Sequence, residues 1–125
     1  VNPRLAFNVV RGMVAGSMTS EADLSWASLM RHEARARLEY LLQPGTILCH
    51  PATPFPAPPK GLPLQQQNPV REWILCLCAY GGLTGVPVVV IPGAVVDGAP
   101  VGLAITGPRG SDAMVVAVAQ ALAAA

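Results

Sequence analysis

Residues that could act as nucleophile, general base or metal ligand are few in this sequence, and they lie far apart. The chain has two histidines, His32 and His50, three cysteines and a single lysine, Lys60. Its serines are Ser17, Ser20, Ser25, Ser28 and Ser111. A serine nucleophile needs a base and an orienting group beside its hydroxyl, and no local pattern pairs a serine with either histidine. The pattern therefore predicts no complete catalytic set within the chain.

His50 is the histidine better placed for a functional role. It ends a short apolar run and directly precedes a long proline-rich stretch, and functional groups concentrate at strand ends and loops. His32 falls in a strongly charged segment, which predicts a surface position. We therefore take His50 as a candidate site residue.

The three cysteines, Cys49, Cys76 and Cys78, suggest structural thiols rather than a metal or redox centre. Their odd number gives no disulfide framework and favours a reducing cytoplasm. Zinc sites usually have two to four residues between paired cysteines, whereas one residue separates Cys76 from Cys78. Both lie in an apolar helical segment, where thiols behave as small hydrophobes. We expect these thiols to be buried, and we expect no metal or cofactor, with a zinc or thiol enzyme as the alternative.

The clearest predicted element is a helix over residues 20–43. A capping-box-like start at Ser20 precedes apolar residues at helical spacing, and the pattern ends at a Gln-Pro-Gly sequence. Several of the chain's charges lie here, Arg31 and Arg35 among them. The simplest interpretation is a solvated face; the alternative is that Arg31 or Arg35 faces a cleft and orients an acidic substrate group.

The middle of the chain predicts a strand and then a long loop. Residues 46–50 form a short apolar run bounded by Gly45 and Pro51, which is typical of a buried strand. Residues 51–69 hold seven prolines, which cannot lie in a ladder or a helix interior. We expect an ordered loop at a site rim, anchored by its apolar residues; a proline-rich ligand for an SH3-type domain is the alternative.

The segment 70–125 predicts a second helix, a hairpin and a buried terminal helix. Residues 88–91 are apolar on both faces, as in a central strand, and Asp97-Gly98 is a strong turn signal that returns the chain antiparallel. Ser111 begins a last helix that is apolar all round and is therefore expected to be buried. Residues 1–18 show no clear period and predict a loop or a short helix.

Composition indicates that the chain is part of something larger. Its 125 residues suffice for one domain only, hydrophobic residues make up 52% of it, and charged residues only 12%, about half the usual ~25%. A free-standing domain would normally carry more charge on its surface, so we expect further protein to cover this one. A net charge of +1 with scattered basic residues predicts no nucleic acid and no membrane surface as partner, and the apolar run before Val96 is interrupted by prolines, which excludes a membrane-spanning helix.

Three ordered blocks carry a family resemblance. They are LCHPATP at 48–54 with PAP at 56–58, LTGVP at 83–87 running into VIPG at 90–93, and DGAPVGLAITGPRGSD at 97–112. Together they closely resemble the C-terminal end of the amidase signature family. The resemblance covers about residues 31–125. It departs at Gly82, where the family usually has an asparagine.

The resemblance implies an α/β fold: the C-terminal part of an α/β/α sandwich in which helices flank a mixed sheet, with residues 1–125 as one incomplete segment. It also implies an amide hydrolase that works through a Ser-Ser-Lys acyl-enzyme mechanism. The family's catalytic serines and lysine lie in an upstream core that this sequence does not match, so we expect none of them here and no activity from the chain alone. Its expected partners are the missing N-terminal part of the same polypeptide or a partner subunit, and a small amide substrate.

Within that framework the chain would provide one wall of the substrate pocket. The predicted lining residues are His50, Thr53 and Phe55. The alternative function is a non-catalytic interaction or scaffold subunit that oligomerises through its apolar faces.

Overall fold

A computed structural model describes residues 7–124 as four helices and three strands. In chain order they are α1 (Phe7–Ser17), α2 (Glu21–Leu41), β1 (Leu48–Pro51), α3 (Leu64–Thr84), β2 (Val88–Val96), β3 (Ala99–Thr106) and α4 (Asp112–Ala123). The strands form one antiparallel sheet in the order β1-β3-β2. The coarse α/β class therefore agrees with the sequence prediction, but within the described residues the sheet is antiparallel rather than mixed.

The long helix α2 begins where its capping signal predicts. The Ser20 side chain accepts a hydrogen bond from the Asp23 amide at 3.1 Å, and Glu21 and Asp23 place negative charge in the first turn, where the helix dipole favours it. The helix ends at Leu41, two residues before the predicted end, and the Leu42 amide closes the last turn on the Leu38 carbonyl. Before it, α1 is a regular helix where the sequence suggested a loop or a short helix; residues 1–6 of that segment lie outside the described part.

The proline-rich loop is shorter than predicted, because α3 begins at Leu64 and contains Pro69. The prediction that residues 64–69 belong to the loop is wrong. Pro63 starts the helix, and its carbonyl accepts from the Gln66 and Gln67 amides. The following Leu-Gln-Gln-Gln run has good helix propensity. Pro69 has no amide hydrogen, so the helix loses one bond, the one to the Gln65 carbonyl. Gln65 is exposed, and water can reach its carbonyl instead.

The hairpin forms as predicted, but its second strand, and not its first, is the central strand of the sheet. Asp97 and Gly98 both have positive φ, 49° and 77°, as the tight turn requires. The central strand is β3 and not β2, because β1 pairs with the free side of β3. On β2, Val89 and Ile91 are half-buried, whereas Val88 and Val90 are exposed, so burial alternates along an edge strand.

Helices lie against both faces of the sheet. On one face, Val115 and Ala119 of α4 pack with the fully buried Ile105 of β3. On the other, Tyr80 of α3 bonds to Thr106, and Gly81 lies close to Val88. The prediction that α4 is buried all round is wrong, since Val116 is 44% and Leu122 46% exposed and only one stripe of α4 is covered.

No helix in the described range 7–124 is both long and apolar enough to cross a membrane.

Two adjacent glycines of α3 give a matched test of how closely this helix approaches the sheet. A methyl group added at Gly81 would lie 2.8 Å from the Val88 Cγ2 atom, whereas one at Gly82 meets nothing within 4 Å. We expect Gly82→Ala to raise the free energy of unfolding by up to about 1 kcal/mol, because alanine loses less backbone entropy in a helix. Gly81→Ala should lower it by about 1 kcal/mol through overpacking. Urea titration of both variants measures the difference; equal stability would contradict the close approach.

Candidate functional site

His50 lies near the end of β1 and is joined to α3 by a side-chain hydrogen bond. Its Nε2 atom is 2.7 Å from the Tyr80 hydroxyl, and the two rings meet edge-on with centroids 5.5 Å apart. The other ring nitrogen, Nδ1, lies 2.7 Å from the Pro51 carbonyl oxygen. Both nitrogens are therefore engaged, which fixes the orientation of the half-buried imidazole.

The hydrogen bonds of His50 continue into the sheet. The Tyr80 hydroxyl lies 2.5 Å from Oγ1 of Thr106, and Thr106 is fully buried. A carbonyl only accepts, so Nδ1 of His50 carries a hydrogen. In the neutral ring Nε2 then accepts from Tyr80, whose oxygen accepts from Thr106. We call the three residues His50, Tyr80 and Thr106 the polar chain; it links β1, α3 and β3 by side chains alone.

The start of the proline-rich loop is fastened next to the polar chain. The Ala52 amide donates to the Gly102 carbonyl at 2.8 Å, and the Cys78 thiol donates to the Ala52 carbonyl at 2.8 Å. These contacts fix the direction in which the loop leaves the sheet. They come from β3 and α3, the elements that also carry Thr106 and Tyr80.

Thr53 and Phe55 lie together at the beginning of this loop. The Thr53 hydroxyl donates to the Phe55 carbonyl at 2.9 Å, which closes a local turn, and both residues are half-buried. His50 bonds to Tyr80 and not to Thr53, so the three predicted residues are neighbours along the chain but do not form one hydrogen-bonded group. Thr53 keeps its lone pairs available as acceptors, and Phe55 provides an apolar surface.

Arg31 and Arg35 bind the end of α3 rather than an empty cleft. The Arg31 Nε donates to the Leu83 carbonyl at 2.8 Å and the Arg35 Nε to the Thr84 carbonyl at 3.2 Å. Carbonyls in the last turn of a helix have no partner within that helix, and the dipole there favours positive charge. The hypothesis that either arginine orients an acidic substrate group is therefore replaced by a capping role between α2 and α3.

Loss of this capping should destabilise the fold more than loss of a surface ion pair on the same helix. Arg35→Ala removes a charge-assisted bond to a helix end and should cost about 1–2 kcal/mol. Arg37→Ala is the control: Arg37 pairs only with Glu33, within α2, and an exposed pair of this kind contributes about 0.5 kcal/mol. Thermal unfolding by circular dichroism measures both, and equal effects would contradict the capping role.

The cysteines are not buried as predicted. Cys49, Cys76 and Cys78 are free and exposed, because β1 is an edge strand and one side of α3 is uncovered. Within residues 7–124, no group of three potential metal ligands is close enough to hold an ion. His32 is exposed, as expected, and its Nδ1 lies 2.7 Å from the Ser28 carbonyl oxygen.

The serine hydroxyls that form hydrogen bonds in the described part all do so locally. Ser17 donates to the Val14 carbonyl, Ser20 to the Asp23 carboxylate and Ser111 to the Pro108 carbonyl. Each of these bonds ends or begins a helix. The arrangement is structural: the one carboxylate that these bonds place beside a serine hydroxyl, that of Asp23, belongs to the exposed start of α2.

Tyr80 and Thr106 are the residues that the sequence analysis missed. Tyr80 follows an apolar helical run, and a tyrosine hydroxyl in such a segment needs a partner. That signal was available and indicates that Tyr80 faces a polar group. It does not indicate which one, because His50 is 30 residues away and Thr106 is 26.

Comparison with known proteins finds a similarity to a solved structure. No protein-family model matches the chain, and no curated protein matches it. A crystal structure of an amidase matches it with a TM-score of 0.76 and 29% sequence identity. The alignment covers 96% of this chain but 29% of the amidase chain. Nearly the whole of this chain thus resembles a part of the amidase that makes up less than a third of the amidase's length.

Proposed function

We propose that this chain is the C-terminal part of an amide hydrolase of the amidase signature type. The observation that carries the proposal is the match of 96% of the chain to a solved amidase at 29% identity. The three sequence blocks at 48–58, 83–93 and 97–112 agree with it, since they occur in the family's order. Both the similarity and the blocks concern the same strands and the same loop.

The proposed reaction is cleavage of a carboxamide C–N bond through an acyl-enzyme. A serine oxygen attacks the amide carbon, the amine leaves with a proton, and water then hydrolyses the ester to release the carboxylic acid and restore the serine. A second serine and a lysine move the protons. All three residues belong to the part of the polypeptide that precedes this chain, in keeping with the family resemblance.

The role of this chain in that reaction is to build and hold one wall of the pocket for a small amide. Thr53 and Phe55 would line it, with a hydroxyl oxygen as acceptor and a ring as apolar surface. His50 would act as a positioning residue, since its ring is held by Tyr80 and lies at the point where the loop leaves β1. The polar chain therefore gives the loop a rigid base.

The exposed apolar surface supports the proposal that a further part of the protein covers this chain. No residue of α2 is buried, and large apolar side chains are exposed on several elements. They include Leu24, Trp26, Leu29, Tyr40, Leu41, Trp73, Val90, Val95, Val116 and Leu122. Surfaces of this extent usually mark an interface. We propose that the N-terminal part of the same polypeptide covers them, in a cytoplasmic protein.

The same exposed side chains favour a second candidate, a non-catalytic subunit that covers its apolar faces by self-association. Such a subunit should form one defined oligomer by size-exclusion chromatography with light scattering. A fragment of a larger enzyme should instead self-associate without a fixed stoichiometry and dissociate to monomer on dilution. The two candidates therefore differ in a measurement that needs no substrate.

The test of the amidase proposal is expression of the chain with and without the coding sequence that precedes Val1. We expect the extended protein to hydrolyse small carboxamides and the 125-residue chain to release no ammonia. In the extended protein, Phe55→Ala should raise KM about tenfold through lost apolar contact with substrate, which corresponds to about 1.4 kcal/mol. Hydrolysis by the short chain that a single serine substitution abolishes would overturn the assignment of the catalytic residues.

A further inference from the structure

A cavity of about 630 Å³ lies between α1, the end of the proline-rich loop and the first half of α3. We call it the arginine cavity. Its volume is in the range of small-molecule sites, about 300–1,000 Å³. It involves none of the predicted pocket residues His50, Thr53 and Phe55, and the proposed amidase role does not account for it.

Much of the wall of the arginine cavity is apolar. Its apolar lining residues come from all three elements: Val9 of α1, Leu62 of the loop, and Val70, Ile74 and Leu75 of α3. The α3 residues follow helical spacing and so form one face of that helix. The Gln67 side-chain amide donates to the Leu62 carbonyl, which ties the loop to the helix at the rim. This bond holds the loop side of the wall without a ligand.

Two arginines also lie on the wall of this cavity. Arg11 comes from α1 and Arg71 from α3, and no aspartate or glutamate is among the lining residues. The ion pairs in residues 7–124 are Arg37 with Glu33 and Arg109 with Glu39. Neither involves the two cavity arginines, so the cavity carries positive charge that no acidic side chain on its wall balances.

We propose that the arginine cavity binds an organic carboxylate with an apolar body. A guanidinium matches a carboxylate through two parallel hydrogen bonds, and the valine, leucine and isoleucine side chains match an aliphatic or aryl tail. A small inorganic anion would leave the apolar wall unused, and a neutral amide would leave both charges unpaired. The two arginines together with the apolar wall therefore specify the ligand class.

The test uses the 125-residue chain, diluted until light scattering shows a monomer, and three probes in isothermal titration calorimetry: octanoate, octanamide and inorganic phosphate. We expect octanoate to bind and the other two to bind at least tenfold more weakly. Arg11→Gln and Arg71→Gln should each weaken octanoate binding about tenfold, the effect of losing a charge-assisted hydrogen bond. Added salt should weaken binding of octanoate and leave that of octanamide unchanged.

Two controls separate binding at this cavity from adhesion to exposed apolar surface. Arg37→Gln removes one positive charge from α2, outside the cavity, and should leave octanoate affinity unchanged. Arg71→Lys keeps the charge and should recover part of the loss. Arg11 and Arg71 are exposed, so both variants should keep the wild-type circular dichroism spectrum. Equal affinity for octanoate and octanamide, or equal effects of Arg71→Gln and Arg37→Gln, would overturn the proposal.

Discussion

Tyr80→Phe is expected to lower the free energy of unfolding by about 2–3 kcal/mol. The substitution keeps the ring and removes one oxygen, which bonds to both His50 and Thr106. Thr106 is fully buried, so its hydroxyl loses a partner where water does not reach. A buried polar group left without a partner costs about 1–3 kcal/mol, and the lost bond to the half-buried His50 adds to this.

A double-mutant cycle with Thr106→Val identifies the cause. Valine replaces the threonine hydroxyl with a methyl group, so Tyr80→Phe combined with Thr106→Val leaves no unpaired hydroxyl at that position. We expect the double variant to be more stable than the sum of the two single effects predicts, by about 1 kcal/mol or more. Chemical denaturation measures all four proteins; strict additivity would show that the Tyr80 to Thr106 bond contributes nothing.

Gly107→Ala should have an effect of similar size, for a steric reason. A methyl group at this buried position would lie 2.5 Å from Oγ of Ser111 and 2.5 Å from Cγ2 of Val115. Val115 is fully buried in the core. We expect a loss of about 2–3 kcal/mol, because overpacking a tight core displaces side chains or backbone.

The matched variant for this prediction is Val115→Ala. Alone, it should destabilise the fold by leaving a cavity. Combined with Gly107→Ala it frees the space that the new methyl group needs, so the second substitution should cost less in that background than in the wild type. Thermal melts of the four proteins measure this coupling. A Gly107→Ala protein as stable as the wild type would contradict the close packing of α4 on the end of β3.

Local signals in the sequence predicted several elements correctly, and the errors concern long-range packing. The cap at Ser20 and the turn at Asp97-Gly98 are local, and the structure has both. The position of β2 at the edge depends on β1, which pairs with β3 about 55 residues along the chain, and no local pattern specifies that pairing. The rule that proline is absent from helix interiors fails at Pro69, the sixth residue of α3, where the lost bond is to the carbonyl of the exposed Gln65.

The candidate site was also predictable only in part, because its local signals are visible in the sequence and its long-range contacts are not. His50, Thr53 and Phe55 stand out by their position at the junction of strand and loop. The bond from His50 to Tyr80 requires knowing which face of α3 meets the sheet. The exposure of Cys76 and Cys78 departs from the apolar pattern because the parts of α3 that carry them are uncovered in this chain.

The proline-rich loop also divides the molecule into two interlocked halves. Lys60, the only lysine of the chain, lies in this loop, so a lysine-specific protease has one place to cut. The piece before the cut would keep β1 and α2, and the piece after it would keep α3, β2, β3 and α4. The pairing of β1 with β3, the bond from His50 to Tyr80 and the capping of α3 by Arg31 and Arg35 all cross that division. A chain nicked at Lys60 should therefore stay together as a non-covalent heterodimer, and residues 1–60 and 61–125 form a natural pair for fragment complementation.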